Sequence, residues 1–339
     1  MTHTVSIVNL QGDAIDCYVA QSSFHSAVNH LLSSSPGNIL VPLVHATCRS
    51  THMVAILADK ANAILTQRND HTRLQSAVTL LQESFSKTLN DRKELVEDAP
   101  LSEDGSKKIG VLYIVNQLFQ MYFELNTLRL CKNLLRPVES RNLHLVGNKG
   151  DLVTYRYYIG RLNMFEDQYD AAEENLSFAF RHCHARAVAN KKRILNYLIP
   201  VKLLRGMIPS AALLEKYGLQ EYIPFVTAIK NGDLRTFNDT LKRNQDEFIR
   251  RGTYLLLEKC KTICHQNLFK KVFLILEKHQ LNLNDLVKAF KWLGLDAMDL
   301  DEVECILANL IFRGYIKGYI SHSKRILVLS KKDPFPKKK

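Results

Sequence analysis

From about residue 54 to residue 312 the apolar residues keep a helical period, and only then does a strand signal appear. Leu283, Leu286, Val287, Phe290 and Leu293 form one stripe at the spacing that buries one face of a helix. Val303, Ile306, Leu307, Leu310 and Ile311 form a second. Gly314 closes that helix, and two apolar runs, Tyr315–Ser321 and Arg325–Ser330, follow as the arms of a hairpin. Helix, helix and a two-stranded wing is the order of a winged helix. No strand signal precedes the wing.

The chain upstream reads as stacked helix pairs. Leu74, Ala77, Val78 and Leu81 mark one amphipathic helix, and Val111, Ile114, Val115, Leu118, Met121 and Tyr122 a stronger one. Residues 91–108 are charged and contain Pro100 and Gly105, which predicts an exposed connection; 141–150 reads as a loop. Residues 153–184 read as a helical hairpin that turns near Glu166–Asp167. Gly160, Ala172 and Ala179 stand where a tetratricopeptide-type pair needs close approach. Helices are then predicted over 194–204, 210–217, 223–230, 234–244, 254–264 and 268–279, with Pro200, Pro209 and Pro224 at starts or kinks. The fold class that follows is an all-α helical-repeat (TPR-like helix pairs) array capped by a C-terminal winged helix. Its expected parts are a poorly defined segment 1–48, an N-terminal helical array 49–150, a helical-repeat part 151–280, the winged helix 281–330 and a basic tail 331–339.

Charge is distributed unevenly. The net charge is +12, yet residues 1–48 contain no Lys or Arg. Residues 250–339 hold 18 Lys or Arg against 9 Asp or Glu, so three quarters of the excess lies in the last quarter of the chain. Such a surface attracts phosphate backbones or acidic proteins, unless it is merely a solvated face. The cysteines are odd in number and scattered, which suits reduced thiols in the cytosol or nucleus. No apolar run is long enough to span a bilayer, and the N-terminus has neither a secretory nor a transit signature.

Signatures of catalysis are missing: no phosphate-binding glycine loop and no H-E-x-x-H occurs. Cys260, Cys264 and His265 share a helical region but lack a second ligand pair, so buried thiols are expected rather than a metal centre. The second winged-helix helix opens with a capping box, Asp299 with Glu302. Asp299, Asp301, Glu302 and Glu304 suit the helix dipole but would repel DNA phosphates at the end that enters the major groove in helix-turn-helix proteins. Base reading of that kind is therefore not expected. The candidate nucleic-acid contacts are Lys270, Lys271, Lys288, Lys291, Lys317, Lys324 and Arg325, and the lone Trp292 is a stacking or core-edge residue. Trp292, Val303, Ile306 and Leu310 are the candidate partner contacts. No cofactor is implied.

A helical array capped by a winged helix is similar to the PCI domain. The stretches VNQLFQMYFELNTLRLCKNLLR (115–136), TYRYYIGRLNMFEDQYDAAEENLSFAFRHCH (154–184), ILNYLIPVKLLRGMIPS (194–210), NLFKKVFLILEKHQL (267–281) and DEVECILANLIFRGYIKGYISH (301–322) resemble the PCI domain-containing protein 2 family, as does DPFP at 333–336. The resemblance covers roughly residues 110–336. It implies a non-enzymatic subunit of transcription-and-export complex 2, located in the nucleus and at the nuclear pore, in messenger RNA export. It also implies a hetero-oligomer with a GANP-type export scaffold and a small acidic DSS/Sem-type subunit, binding RNA or DNA and no membrane.

Overall fold

The computed structural model describes residues 13–67, 70–95, 101–145 and 147–336, and the chain divides after Glu166 into two compact units. The division falls beyond the expected boundary at 150, so the helix before Glu166 belongs with the first unit.

Among the described residues the first unit holds six α-helices: α1 (Asp13–Ser34), α2 (Val41–Thr66), α3 (Thr72–Leu89), α4 (Val111–Glu124), α5 (Cys131–Ser140) and α6 (Lys149–Phe165). α4 is its axis, packed by α2, α3, α5 and α6, and its Val111, Ile114, Val115, Leu118 and Met121 are wholly buried. Asp59 of α2 caps α3 from outside. Its carboxylate accepts from Arg73 N at 3.1 Å and Leu74 N at 2.9 Å, because the residue before α3, His71, makes no side-chain cap.

Two sequence readings are corrected here. Residues 13–34, within the segment expected to be poorly defined, form a full helix held by a buried polar set that hydropathy does not register. His25 Nδ1 lies 2.9 Å from Thr51 Oγ1 and its Nε2 lies 2.9 Å from Ser84 Oγ. The connection after α3 is also less exposed than predicted. Ser106 and Lys107 are buried, and the Lys107 ammonium donates to Leu32 O in the last turns of α1. A buried ammonium costs less when a carbonyl takes its proton donor.

The second unit begins with α7 (Tyr169–His182) packed on α8 (Val188–Leu204); the turn predicted near Glu166–Asp167 lies just before it. Pro200 sits inside α8 and cannot donate to Asn196 O. The Tyr222 hydroxyl supplies that bond at 3.2 Å. Further helices are α9 (Ala211–Lys216), α10 (Ile223–Asn231), α11 (Leu234–Arg243), α12 (Gln245–Arg251), α13 (Tyr254–Lys259) and α14 (Lys261–Leu276). Sequence periodicity does not predict α12, and the helix break predicted between 264 and 268 lies instead at Cys260, between α13 and α14.

The chain then forms β1 (Gln280–Asn282), α15 (Leu283–Trp292), α16 (Leu300–Phe312), β2 (Gly318–Ser321) and β3 (Ile326–Leu329). The sheet order is β1-β3-β2, antiparallel throughout, with Leu281 opposite Leu327 and Ile320 opposite Leu327 on the other side. The winged helix thus has a third strand ahead of the wing, where none was predicted. It also recruits α14 as its first helix, since α14 packs on both α15 and α16. The segment read as a basic tail folds back: Phe335 is buried against Phe273 at 5.7 Å, and Gln266 Nε2 donates to Tyr315 O and Pro336 O. Lys337–Lys339 lie outside the described residues.

Candidate nucleic-acid interface

α15 is the backbone of this surface. Asn282 caps it, its side chain accepting from Asn284 N at 2.9 Å. Leu283, Leu286 and Phe290 face the core, and Phe290 packs edge-on to Phe269 of α14 at 5.8 Å. The opposite face carries Lys288, Lys291 and Trp292, all exposed. Residues three and four apart share a helix face, so Lys288 stands beside both others. Lys288 is paired with Asp285 at 3.0 Å; Lys291 has no acidic partner among the described residues.

The wing turn closes on the start of the same helix. Leu283 N donates to Arg325 O at 3.0 Å, and Arg325 N to His322 O at 3.1 Å, with Arg325 in the left-handed region at φ 54°. His322 Nδ1 sits 2.8 Å from a Glu304 carboxylate oxygen, which pins the turn to α16. Lys324 and Arg325 are exposed and have no acidic partner among the described residues. With a rise of about 1.5 Å per residue, Lys291 stands roughly 12 Å along α15 from the Leu283 end where this turn is anchored. Lys288, Lys291 and Trp292 thus share one exposed face of α15, while Lys324 and Arg325 sit on the wing turn bonded to the start of that helix.

The other candidate cations are elsewhere. Lys270 is half-buried on α14, and Lys271 reaches Asn231 Oδ1 of α10 at 3.5 Å. Lys317 precedes β2 and is 3.7 Å from the Asp333 carboxylate, so its charge is partly answered within the fold. Sequence reading missed Arg235 of α11. It is exposed, and its guanidinium lies 3.1 Å from where a Cβ would stand on Gly294, just past Trp292. A lone arginine more than fifty residues upstream gives no sequence signal of this placement.

Two partner candidates are corrected. Val303 and Leu310 are wholly buried in the winged-helix core together with Leu307, so neither is available to a second chain. Ile306 is half-buried, and Trp292 is 85% exposed, which excludes packing at a core edge. The acidic helix start is also partly spent internally. Asp299 Oδ1 accepts from Glu302 N at 2.7 Å, Glu304 holds His322, and the carboxylates of Asp301 and Glu302 are left to solvent. Only this half of the capping box forms.

The second unit also has an open cleft of about 750 Å³ lined by Asp167, Tyr169, Asp170, Arg205, Lys259 and Arg313. Most of its charges are paired: Lys259 bonds Asp167 and Tyr169, holding the Asp167 carboxyl below the usual range, and Arg205 binds Asp170 and Glu173, while Arg313 has no acidic partner among the described residues. Among the described residues no group of three or more His, Cys, Asp or Glu is placed to hold a metal, and no helix is long and apolar enough to cross a membrane.

Comparison with known proteins agrees with this architecture. Residues 240–331 match the PCI domain, and residues 84–224 match PSMD3-like N-terminal TPR repeats. PCI domain-containing protein 2 of Danio rerio is 39% identical over 96% of this chain and 80% of its own length. The chain belongs to the PCI domain-containing protein 2 family. The Drosophila melanogaster homolog is 38% identical over 95% of the chain and 79% of its own. The Xenopus laevis protein is 44% identical over 78% of the chain, and the matched part spans 64% of that relative's length. The PCI match begins within α11, so it takes in α14 and β1 with the rest of the winged helix.

Proposed function

We propose that the chain is a non-enzymatic scaffold and nucleic-acid-binding subunit of a nuclear messenger RNA export complex, coupling transcription to export at the nuclear pore. Its partners are a GANP-type export scaffold and a small acidic DSS/Sem-type subunit. Membership of the PCI domain-containing protein 2 family supports the scaffold role. One observation supports the nucleic-acid role: Lys291 on α15, beside Lys288, and Lys324 and Arg325 on the wing turn anchored to the start of that helix are exposed and without acidic partners among the described residues. Cations spaced along one helix follow a phosphate backbone without reading sequence. The exposed carboxylates at the start of α16 disfavour insertion of that helix into a major groove.

A second reading is a purely structural PCI subunit of a proteasome-lid-like or signalosome-like assembly. The match of residues 84–224 to PSMD3-like repeats favours it. The two are separated by purifying the tagged chain from nuclear extract after ultraviolet crosslinking. The export reading expects one large scaffold, a small acidic protein and covalently attached polyadenylated RNA. Recovery of lid or signalosome subunits without RNA contradicts it.

A further inference from the structure

We infer that Trp292 is a base-stacking platform, so that the α15 surface selects single-stranded over duplex nucleic acid. The inference rests on the nucleic-acid reading above and names its substrate class. Trp292 is the only tryptophan of the chain and stands 85% exposed in the last turn of α15. Indole is the largest apolar side chain, and leaving it in water forgoes the burial its area offers. The winged-helix core does not need it, being filled by Leu283, Leu286, Phe290, Val303, Leu307 and Leu310. No ring stacks on it among the described residues.

The surroundings point to a nucleic acid rather than a protein. Lys288 lies one turn back, Lys291 is adjacent, and the Arg235 guanidinium approaches the Gly294 turn two residues on. An aromatic among cations is the composition that binds single strands, where cations follow the backbone and each unpaired base offers a face to the ring. Bases inside a duplex are stacked on one another and offer none.

Because the chain has one tryptophan, its own emission reports the site. The full-length chain is titrated at low salt with oligouridylate and with an RNA duplex of the same length, following both indole emission and the anisotropy of labelled RNA. The single strand is expected to quench emission saturably and to bind more tightly than the duplex. Trp292→Ala is expected to weaken single-strand binding about tenfold and leave duplex binding unchanged, whereas Trp292→Phe stays within about threefold of the parent. Three results overturn the inference. RNA binding without quenching, and equally tight in W292A, removes Trp292 from the contact but leaves the nucleic-acid reading standing. An equal loss of both RNAs in W292A shows a docking role in place of stacking. Failure of the parent chain to bind either RNA sinks the nucleic-acid reading itself, and the stacking role with it.

Discussion

Cys260 and Cys264 lie one helical turn apart at the junction of α13 and α14, with no surface exposed. The Cys260 thiol donates to Leu256 O and lies near Pro200 O, and that of Cys264 donates to Ala228 O. Burial pushes the Cys264 thiol up to about 12 and raises that of Cys260 as well. A thiol so far from its anion is a poor nucleophile and a poor metal ligand. Labelling of the native chain with a disulfide reagent is expected to reach exposed Cys305 first and to reach Cys260 and Cys264 only on unfolding. Rapid modification of either buried thiol in the folded chain contradicts this placement. His25 makes a second residue-scale prediction. Desolvation lowers its pKa from 6.5 to about 4, partly opposed by the charge of Glu83. Above pH 6.5 both folded and unfolded chains hold it neutral, and the stability from this source is complete. As pH falls from 6.5 toward 4 the unfolded chain takes the proton first, and up to about 3 kcal/mol is lost. Asp151, raised to about 6 by burial, acts with the opposite sign over part of that range. Comparison with His25→Gln cancels the Asp151 effect: the stability gap between parent and variant, read by chemical denaturation, is expected to narrow steadily from pH 6.5 to 4. A gap independent of pH shows that His25 is not held neutral by the fold.

At the scale of elements, α16 depends on the residue just before it. Asp299 alone caps it by side chain, at 2.7 Å to Glu302 N, and Asp301 and Glu302 complement the dipole in the first turn. Asp299→Ala is expected to lower stability by about 1 kcal/mol, measured by chemical denaturation. A change below about 0.3 kcal/mol would mean that the helix start is fixed by packing instead. The elements legible in the sequence include those with a wide apolar stripe, α3, α4, α15, α16 and the wing, and also α8 to α11, whose ends are punctuated by Pro and Gly. α1 is not, since its buried face is built from Tyr18, His25, Val28, Asn29 and Leu32, which mixes polar with apolar residues. β1 is not either, because three residues with one buried side chain, Leu281, cannot display a period of two. Periodicity also misleads about partners. Val303 and Leu310 carry the stripe because they face the core, and the same signal cannot also mark a face left for another chain. The basic candidates divide for a similar reason. Charge can be read from a sequence, but neither the pairing of Lys317 with Asp333 nor the approach of Arg235 to Gly294 leaves a local trace.

Over the whole molecule the charge is uneven. The C-terminal quarter holds most of the excess positive charge, and folding gathers Lys288, Lys291, Lys324 and Arg325 onto α15 and the wing turn anchored to it. These side chains are exposed, so their reversal should leave the fold intact, and surface pairs such as Lys288 with Asp285 contribute little to stability. The decisive measurement is the affinity of the assembled complex for RNA across a series of salt concentrations. It is to be made with the parent chain and with one carrying Lys288→Glu, Lys291→Glu, Lys324→Glu and Arg325→Glu together. Each phosphate that is no longer neutralised takes about 0.7 from the logarithmic salt slope for a single strand. The reversed chain is expected to bind at least about tenfold more weakly at low salt, with a slope shallower by roughly 2 to 3. Unchanged affinity and slope would contradict this expectation and leave the winged helix as a surface for subunit contacts alone.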